Sequence, residues 1–152
     1  MQARMKNPAE IIPEAMQALQ TLSQAAYKGG VSPATLALVH LRASQINGCS
    51  TCVQSGAANA RKVGETDDKL ATVAAWRDAP YFSDAERAAL ALTESVTRLA
   101  DTTDPVPDQL WDEVTKHYDE QGVSALLLWI SASNVFNRLN IATRQVAGAR
   151  SW

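Results

Sequence analysis

Between Ser32-Pro33 and Asn47-Gly48 the chain is bracketed by a helix start and a helix stop, and its only two cysteines follow at once as Cys49-Ser50-Thr51-Cys52. Ser32 offers an N-cap oxygen, and Pro33 fits a first helical turn. Asn47-Gly48 tolerates the left-handed conformation that closes a helix. The two sulfurs are therefore held behind a tight turn, at the start of the next helix. Within the bracket, Leu36, Val39, Ala43 and Ile46 recur at spacings of three and four, which predicts one core-facing stripe.

The same punctuation runs through the rest of the chain. Pro13 opens a helix to about Tyr27, ended by Gly29-Gly30. The helix from Cys49 runs to Lys62 and stops at Gly64. Thr66 caps another that reaches about Trp76. Ser83 and Glu86 form a capping box for a helix with the stripe Ala89, Leu92, Val96 and Leu99. Asp104 to Pro107 breaks the chain before a helix over roughly Asp108 to Asp119. Gly122 then precedes a long last helix carrying Leu126, Leu127, Ile130 and Val135. Strand-like alternation is scarce. The expected fold class is all-α, with about six to seven helices. No internal linker appears, so the 152 residues are expected to form one domain over 1–152.

Composition excludes several functions. A net charge of −2 without a basic cluster argues against nucleic acid. The longest apolar run, Ala125 to Ile130, falls far short of the roughly 20 residues that span a bilayer, so no membrane partner is expected. Met1 to Glu14 has no apolar segment of the secretory kind, which makes a cytoplasmic location the expectation. In a reducing compartment a close cysteine pair serves catalysis or metal binding rather than stapling. Structural zinc wants four Cys or His ligands. The chain offers Cys49, Cys52, His40 and His117 without finger-like spacing, so no metal and no cofactor is expected.

A dithiol at a helix start suits redox chemistry. The thiolate is the nucleophile, and a free thiol is only about 3% ionised at pH 7. A helix N-terminus favours the anion by roughly 0.3–2 kcal/mol, and about 1.4 kcal/mol moves a pKa by one unit. That activation is useful but incomplete without a nearby base. A buried cysteine pair packing as small hydrophobes is the competing reading.

The stretch Leu41-Arg42-Ala43-Ser44-Gln45-Ile46-Asn47-Gly48-Cys49-Ser50-Thr51-Cys52 resembles the core of the carboxymuconolactone decarboxylase superfamily, and within it the alkylhydroperoxidase AhpD-like branch. Ala60 to Thr66, Ala75 to Ser83, Glu86 to Leu90 and Asn134 to Leu139 are similar to further segments of that branch. The resemblance implies an all-α fold, assembly as homo-trimers or hexamers, and reduction of a peroxide or disulfide substrate by the dithiol. It also implies that Cys52 attacks the peroxide, Cys49 resolves the sulfenic acid, and an external dithiol reduces the pair.

In that branch the cysteines sit in a longer pattern, Glu-x11-Cys-x2-Cys-x3-His, whose Glu and His relay a proton. Here those two positions hold Ala37 and Gly56. His40, one turn beyond Ala37, is the candidate replacement base, with an ordinary pKa near ~6.5. Its alternative is a packed side chain without chemistry. Gly56 with Ala57, Ala58 and Ala60 suits close approach of another helix. A pocket enlarged by the lost imidazole is the other reading. His117 reads as solvated, Asn137 and Arg138 as possible lining of a polar site, and Trp76, Trp111 and Trp129 as core or interface anchors. The expected catalytic set is Cys49, Cys52 and His40. The expected activity is that of an antioxidant peroxidase or thiol–disulfide oxidoreductase, slowed or altered by the missing relay. A non-catalytic, small-molecule-binding member of the fold is the alternative. A lactone decarboxylase is a third reading, against which the dithiol argues.

Overall fold

The computed structural model describes residues 2–149; Met1 and residues 150–152 lie outside that range. In chain order the helices are α1 (Pro8–Ile11), α2 (Pro13–Tyr27), α3 (Pro33–Asn47), α4 (Ser50–Lys62), α5 (Asp67–Thr72), α6 (Asp84–Thr97), α7 (Asp108–Thr115) and α8 (Glu120–Ala142). Short 3₁₀ turns occupy Val73–Ala75 and Leu99–Asp101, and no strand occurs among the described residues. The all-α class read from the sequence is the one observed.

The helices start where side chains can satisfy their free N–H groups. Ser32 Oγ accepts from the Thr35 amide at 3.0 Å. Ser83 and Glu86 form the full reciprocal box, at 3.2 and 2.9 Å. Asn7 Oδ1 accepts from the Ala9 amide at 2.9 Å, ahead of Pro8, and so starts α1, which the sequence reading did not anticipate. Asp119 Oδ1 accepts from the Gly122 amide at 2.8 Å. That cap places Gly122 inside α8 rather than before it, and it ends α7 early, at Thr115. The expected helix to Trp76 instead tightens into 3₁₀ geometry after Thr72.

Central helix α3 packs against α4, α6 and α8. Leu36 and Val39 enter a cluster with Leu92, Leu126 and Ile130. Leu38 and Leu41 enter a second with Val73, Trp76, Phe82 and Leu90. One stripe was expected from the spacing. The helix is instead apolar most of the way round, as a helix covered on several sides must be. Trp76 and Trp129 are buried as expected of core anchors, whereas Trp111 on α7 is exposed. Leu99 lies past the end of α6 and is exposed too.

A buried charge fixes the α6 flank. Glu94 accepts from Arg42 Nε and Nη2, both at 2.7 Å, from Trp76 Nε1 at 3.0 Å and from Arg77 Nη1 at 2.6 Å. Burial alone would raise its carboxyl, but the hydrogen bonds from Arg77, Trp76 and Arg42 outweigh that and hold it below the ordinary glutamate value.

Where α2 meets α8, Gly29 leaves no room for a side chain. A Cβ there would stand 2.3 Å from Ala125 Cβ and 3.0 Å from the Gln121 carbonyl oxygen. Gly29→Ala is expected to destabilise the fold by about 1–3 kcal/mol, through overpacking rather than lost contacts. Urea unfolding checks it; a stability unchanged within error would show that the two helices separate freely.

Three helices end in the same pair of hydrogen bonds. After α3, the amides of Cys49 and Gly48 donate to Ser44 and Gln45 oxygens at 3.0 and 3.2 Å. After α4, Glu65 and Gly64 donate to Ala60 and Arg61 at 3.0 and 3.1 Å. After α8, Gln145 and Arg144 donate to Asn140 and Ile141 at 2.9 and 3.0 Å. The left-handed residue of each turn is Gly48 (φ 71°), Gly64 (φ 96°) and Arg144 (φ 53°). The motif favours glycine there, and a residue with a Cβ costs about 1 kcal/mol more.

Candidate functional site

The turn after α3 delivers Cys49 as the N-cap of α4, where its Sγ accepts from the Cys52 amide at 3.3 Å. Cys49 and Cys52 are joined by a disulfide, and each is only 2% exposed. The two sulfurs differ in surroundings. Cys49, with Gly48 and Ser50, lines an open cleft of about 390 Å³, whose other wall includes Asn140, Arg144 and Gln145 at the end of α8. Cys52 faces inward, and Asn140 Nδ2 donates to its Sγ at 3.3 Å. Asn7 Nδ2 donates in turn to Asn140 Oδ1 at 2.8 Å. Thr51 Oγ1 donates to the Gln145 carbonyl at 3.0 Å, closing α4 against the same segment.

The α3–α8 seam behind the sulfurs is polar. Asn47 Nδ2 donates to Asn134 Oδ1 at 2.9 Å and to Asn137 Oδ1 at 2.8 Å. Asn137 Nδ2 donates to Ser44 Oγ at 3.1 Å. Asn137 is therefore a buried seam residue rather than lining of the cleft, and Arg138 points to solvent. Asn134, Asn137 and Asn140 recur every third residue on α8. That spacing is the sequence sign by which Asn140 was discoverable. Asn7-Pro8, a cap followed by an N1 proline, was the sign for Asn7.

His40 reaches α4 at the position where the family relay would have its imidazole. A Cβ on Gly56 would lie 3.0 Å from His40 Cδ2 and 3.6 Å from its Nε2. The small residue at 56 thus gives close approach, as one of the two readings held, and what approaches is the imidazole of α3. His40 Nδ1 is 3.0 Å from Ser133 Oγ, and the ring stands 5.8 Å from that of Trp129. Burial pushes the imidazole down to about 4, opposed only in part by a hydrogen bond with the Cys52 main chain. It is therefore neutral at physiological pH. Ala37 is buried, and His117 lies apart on the α7 side, 3.3 Å from Glu113 Oε1. No group of three His, Cys, Asp or Glu side chains suited to a metal ion occurs among the described residues. No helix among them is long and apolar enough to cross a membrane.

A helical chain whose central helix presents a Cys-x-x-Cys at the start of its neighbour is of the AhpD-like class. By its sequence the chain belongs to the carboxymuconolactone decarboxylase family, which residues 13–95 match. It is 34% identical over 141 residues to the uncharacterized protein YdfG of Bacillus subtilis (strain 168), covering 93% of this chain and 95% of that one. The uncharacterized protein YnjA of Escherichia coli (strain K12) is 33% identical over 112 residues, which are 74% of this chain and 60% of YnjA. Among solved structures, a protein of unknown function from Agrobacterium tumefaciens, proposed to be the antioxidant defence protein AhpD, superposes with a TM-score of 0.89 at 28% identity. The match covers 98% of this chain and all (100%) of that one. The debrominase Bmp8 shares the fold at a TM-score of 0.81 and 18% identity, over 92% of this chain and 74% of its own.

Proposed function

We propose that the protein is a thiol–disulfide oxidoreductase of the AhpD-like kind that spends its reducing equivalents on a peroxide. The observation that carries this reading is the asymmetry of the two sulfurs: Cys49 borders the cleft, while Cys52 lies inside under the Asn140 amide. A thiolate entering the cleft attacks Cys49 Sγ and breaks its bond to Cys52, which leaves as a thiolate. The donor on Asn140 favours that anion, as a charge-assisted hydrogen bond worth roughly 1.5–3 kcal/mol. A second thiol then attacks the incoming sulfur, releases an external disulfide and leaves Cys49 reduced.

In the oxidative half, the Cys52 thiolate attacks the terminal oxygen of a hydroperoxide. Cys52 becomes a sulfenic acid, and the alkoxide leaves with a proton as alcohol. Attack by Cys49 expels water and restores the disulfide. His40, packed beside Gly56 and hydrogen-bonded to the Cys52 main chain, takes the place of the absent relay. Assembly into homo-trimers or hexamers belongs to the same proposal, with Trp111 and Leu128 available as exposed apolar contacts.

Peroxide consumption with dithiothreitol as reductant tests the reading. Wild type is expected to turn over, Cys52→Ser to lose all turnover, and Cys49→Ser to form no internal disulfide on oxidation. Peroxide loss independent of Cys52, or a disulfide that dithiothreitol leaves intact, would remove the enzymatic reading. The fold would then be that of a binding member of the family.

A further inference from the structure

Among the described residues that line the cleft beside Cys49, Arg144 carries the one charged side chain. It is held in an unfavourable way. The turns after α3, α4 and α8 make the same two hydrogen bonds, yet two of them place glycine at the left-handed position and the third places an arginine there at φ 53°. It is the only non-glycine residue with positive φ among those described. Backbone strain of this kind collects at ligand-handling positions. Arg144 is exposed, and no hydrogen bond or ion pair engages its guanidinium among the described residues.

Completing the helix end does not account for it. A cation near the last carbonyls of a helix is favourable, but Arg4 already fills that role for α8: its Nη1 donates to the Ala142 carbonyl at 3.2 Å, and its amide donates to the Thr143 carbonyl at 2.9 Å. Glycine at 144 would keep both hydrogen bonds of the turn and relieve the strain. What it would remove is the positive charge at the mouth of the cleft.

We propose that this cleft receives the negatively charged end of an acidic thiol reductant, with Arg144 as the recognising cation. The proposal rests on the oxidoreductase reading above and names its reductant by class: a thiol bearing a carboxylate. The thiolate of that molecule attacks Cys49 Sγ, the Cys49–Cys52 bond breaks, and Cys52 departs as the thiolate. A second equivalent attacks the external sulfur of the mixed disulfide. Two acidic thiols are oxidised to one disulfide while the protein gains two electrons and the protons that balance them. Ser50, also in the lining, adds a hydroxyl to the same cleft.

The test is the reduction rate of the oxidised protein, followed by quenched alkylation, with three probe thiols: thioglycolate (anionic), 2-mercaptoethanol (neutral) and cysteamine (cationic). Each variant is compared with wild type at the same thiol, so the intrinsic nucleophilicity of the probe cancels. Arg144→Gly is expected to slow thioglycolate about three- to tenfold at low ionic strength, to leave 2-mercaptoethanol unchanged and to speed cysteamine slightly. Arg144→Lys is expected to keep most of the thioglycolate rate. Arg144→Gly should also melt about 2–4 °C higher, so its loss of rate cannot come from unfolding. The same variant-to-wild-type ratio for all three thiols would overturn the anion preference and leave the oxidoreductase reading standing. A disulfide that resists all three would overturn both.

Discussion

Glu94→Ala is expected to remove about 3–5 kcal/mol of stability, the cost of stranding a buried partner of an ion pair. Arg42 has a side chain only 12% exposed and directs two nitrogens at this carboxylate. Trp76 would lose the acceptor for its indole N–H as well. For a domain of this size the melting temperature should fall by roughly 6–20 °C. Arg77 is the internal control: it contacts the same carboxylate, but its side chain is 60% exposed. Arg77→Ala is expected to cost no more than about 1 kcal/mol. Thermal and urea unfolding decide the matter; an equal, small loss in both variants would mean that the carboxylate is hydrated. The pH dependence has a definite sign. Because the carboxyl is held below its ordinary value in the folded chain, its contribution is present above the unfolded glutamate pKa and is lost as pH falls through the folded one. Glu94→Ala should flatten that acid limb.

The second large effect concerns the imidazole that stands over Gly56. His40→Ala is expected to slow Cys52-dependent peroxide reduction about tenfold at neutral pH, within the roughly 30-fold that full ionisation of a thiol about 3% ionised can supply. The difference should vanish at alkaline pH, where the thiol ionises unaided. Gly56→Ala should reduce the rate less, since a Cβ 3.0 Å from Cδ2 forces only a small shift of the ring. Moving the imidazole back to the other helix, with His40→Ala and Gly56→His together, is expected to restore part of the loss. A purely structural histidine would give the same pH–rate profile in wild type and His40→Ala, and the exchange would restore nothing. Stability carries a separate signature. The folded imidazole titrates at about 4, so the unfolded chain takes up its proton first as pH falls from about 6.5. Stability is full above that range and declines toward pH 4, and His40→Ala should decline less.

What the sequence announced and what it hid follow the range of the forces involved. Ser32-Pro33, Asn47-Gly48 and the Ser83–Glu86 box act within one helical turn, and each stands where its residues said. The two-sided burial of α3 was hidden because Leu38 and Leu41 face helices that only the tertiary fold supplies. In the candidate site the two cysteines were legible and His40 could be singled out, since all three lie within α3, the turn after it and the first turn of α4. Asn140 and Arg144 come from the far end of the chain, and Asn7 meets Asn140 across 133 positions. No local pattern ties such residues to a sulfur. Arg144 is harder still, because an arginine in a polar tail gives no hint that its backbone is left-handed.

The reach of Asn140 over Cys52 has a practical side. The segment that defines family membership runs only from residue 13 to residue 95. A fragment cut to those limits would contain both cysteines and His40. It would lack the amide above the inner sulfur, the asparagine that aims that amide, and the far wall of the cleft. Relatives sorted by the shared segment alone are thus grouped by which sulfurs they own.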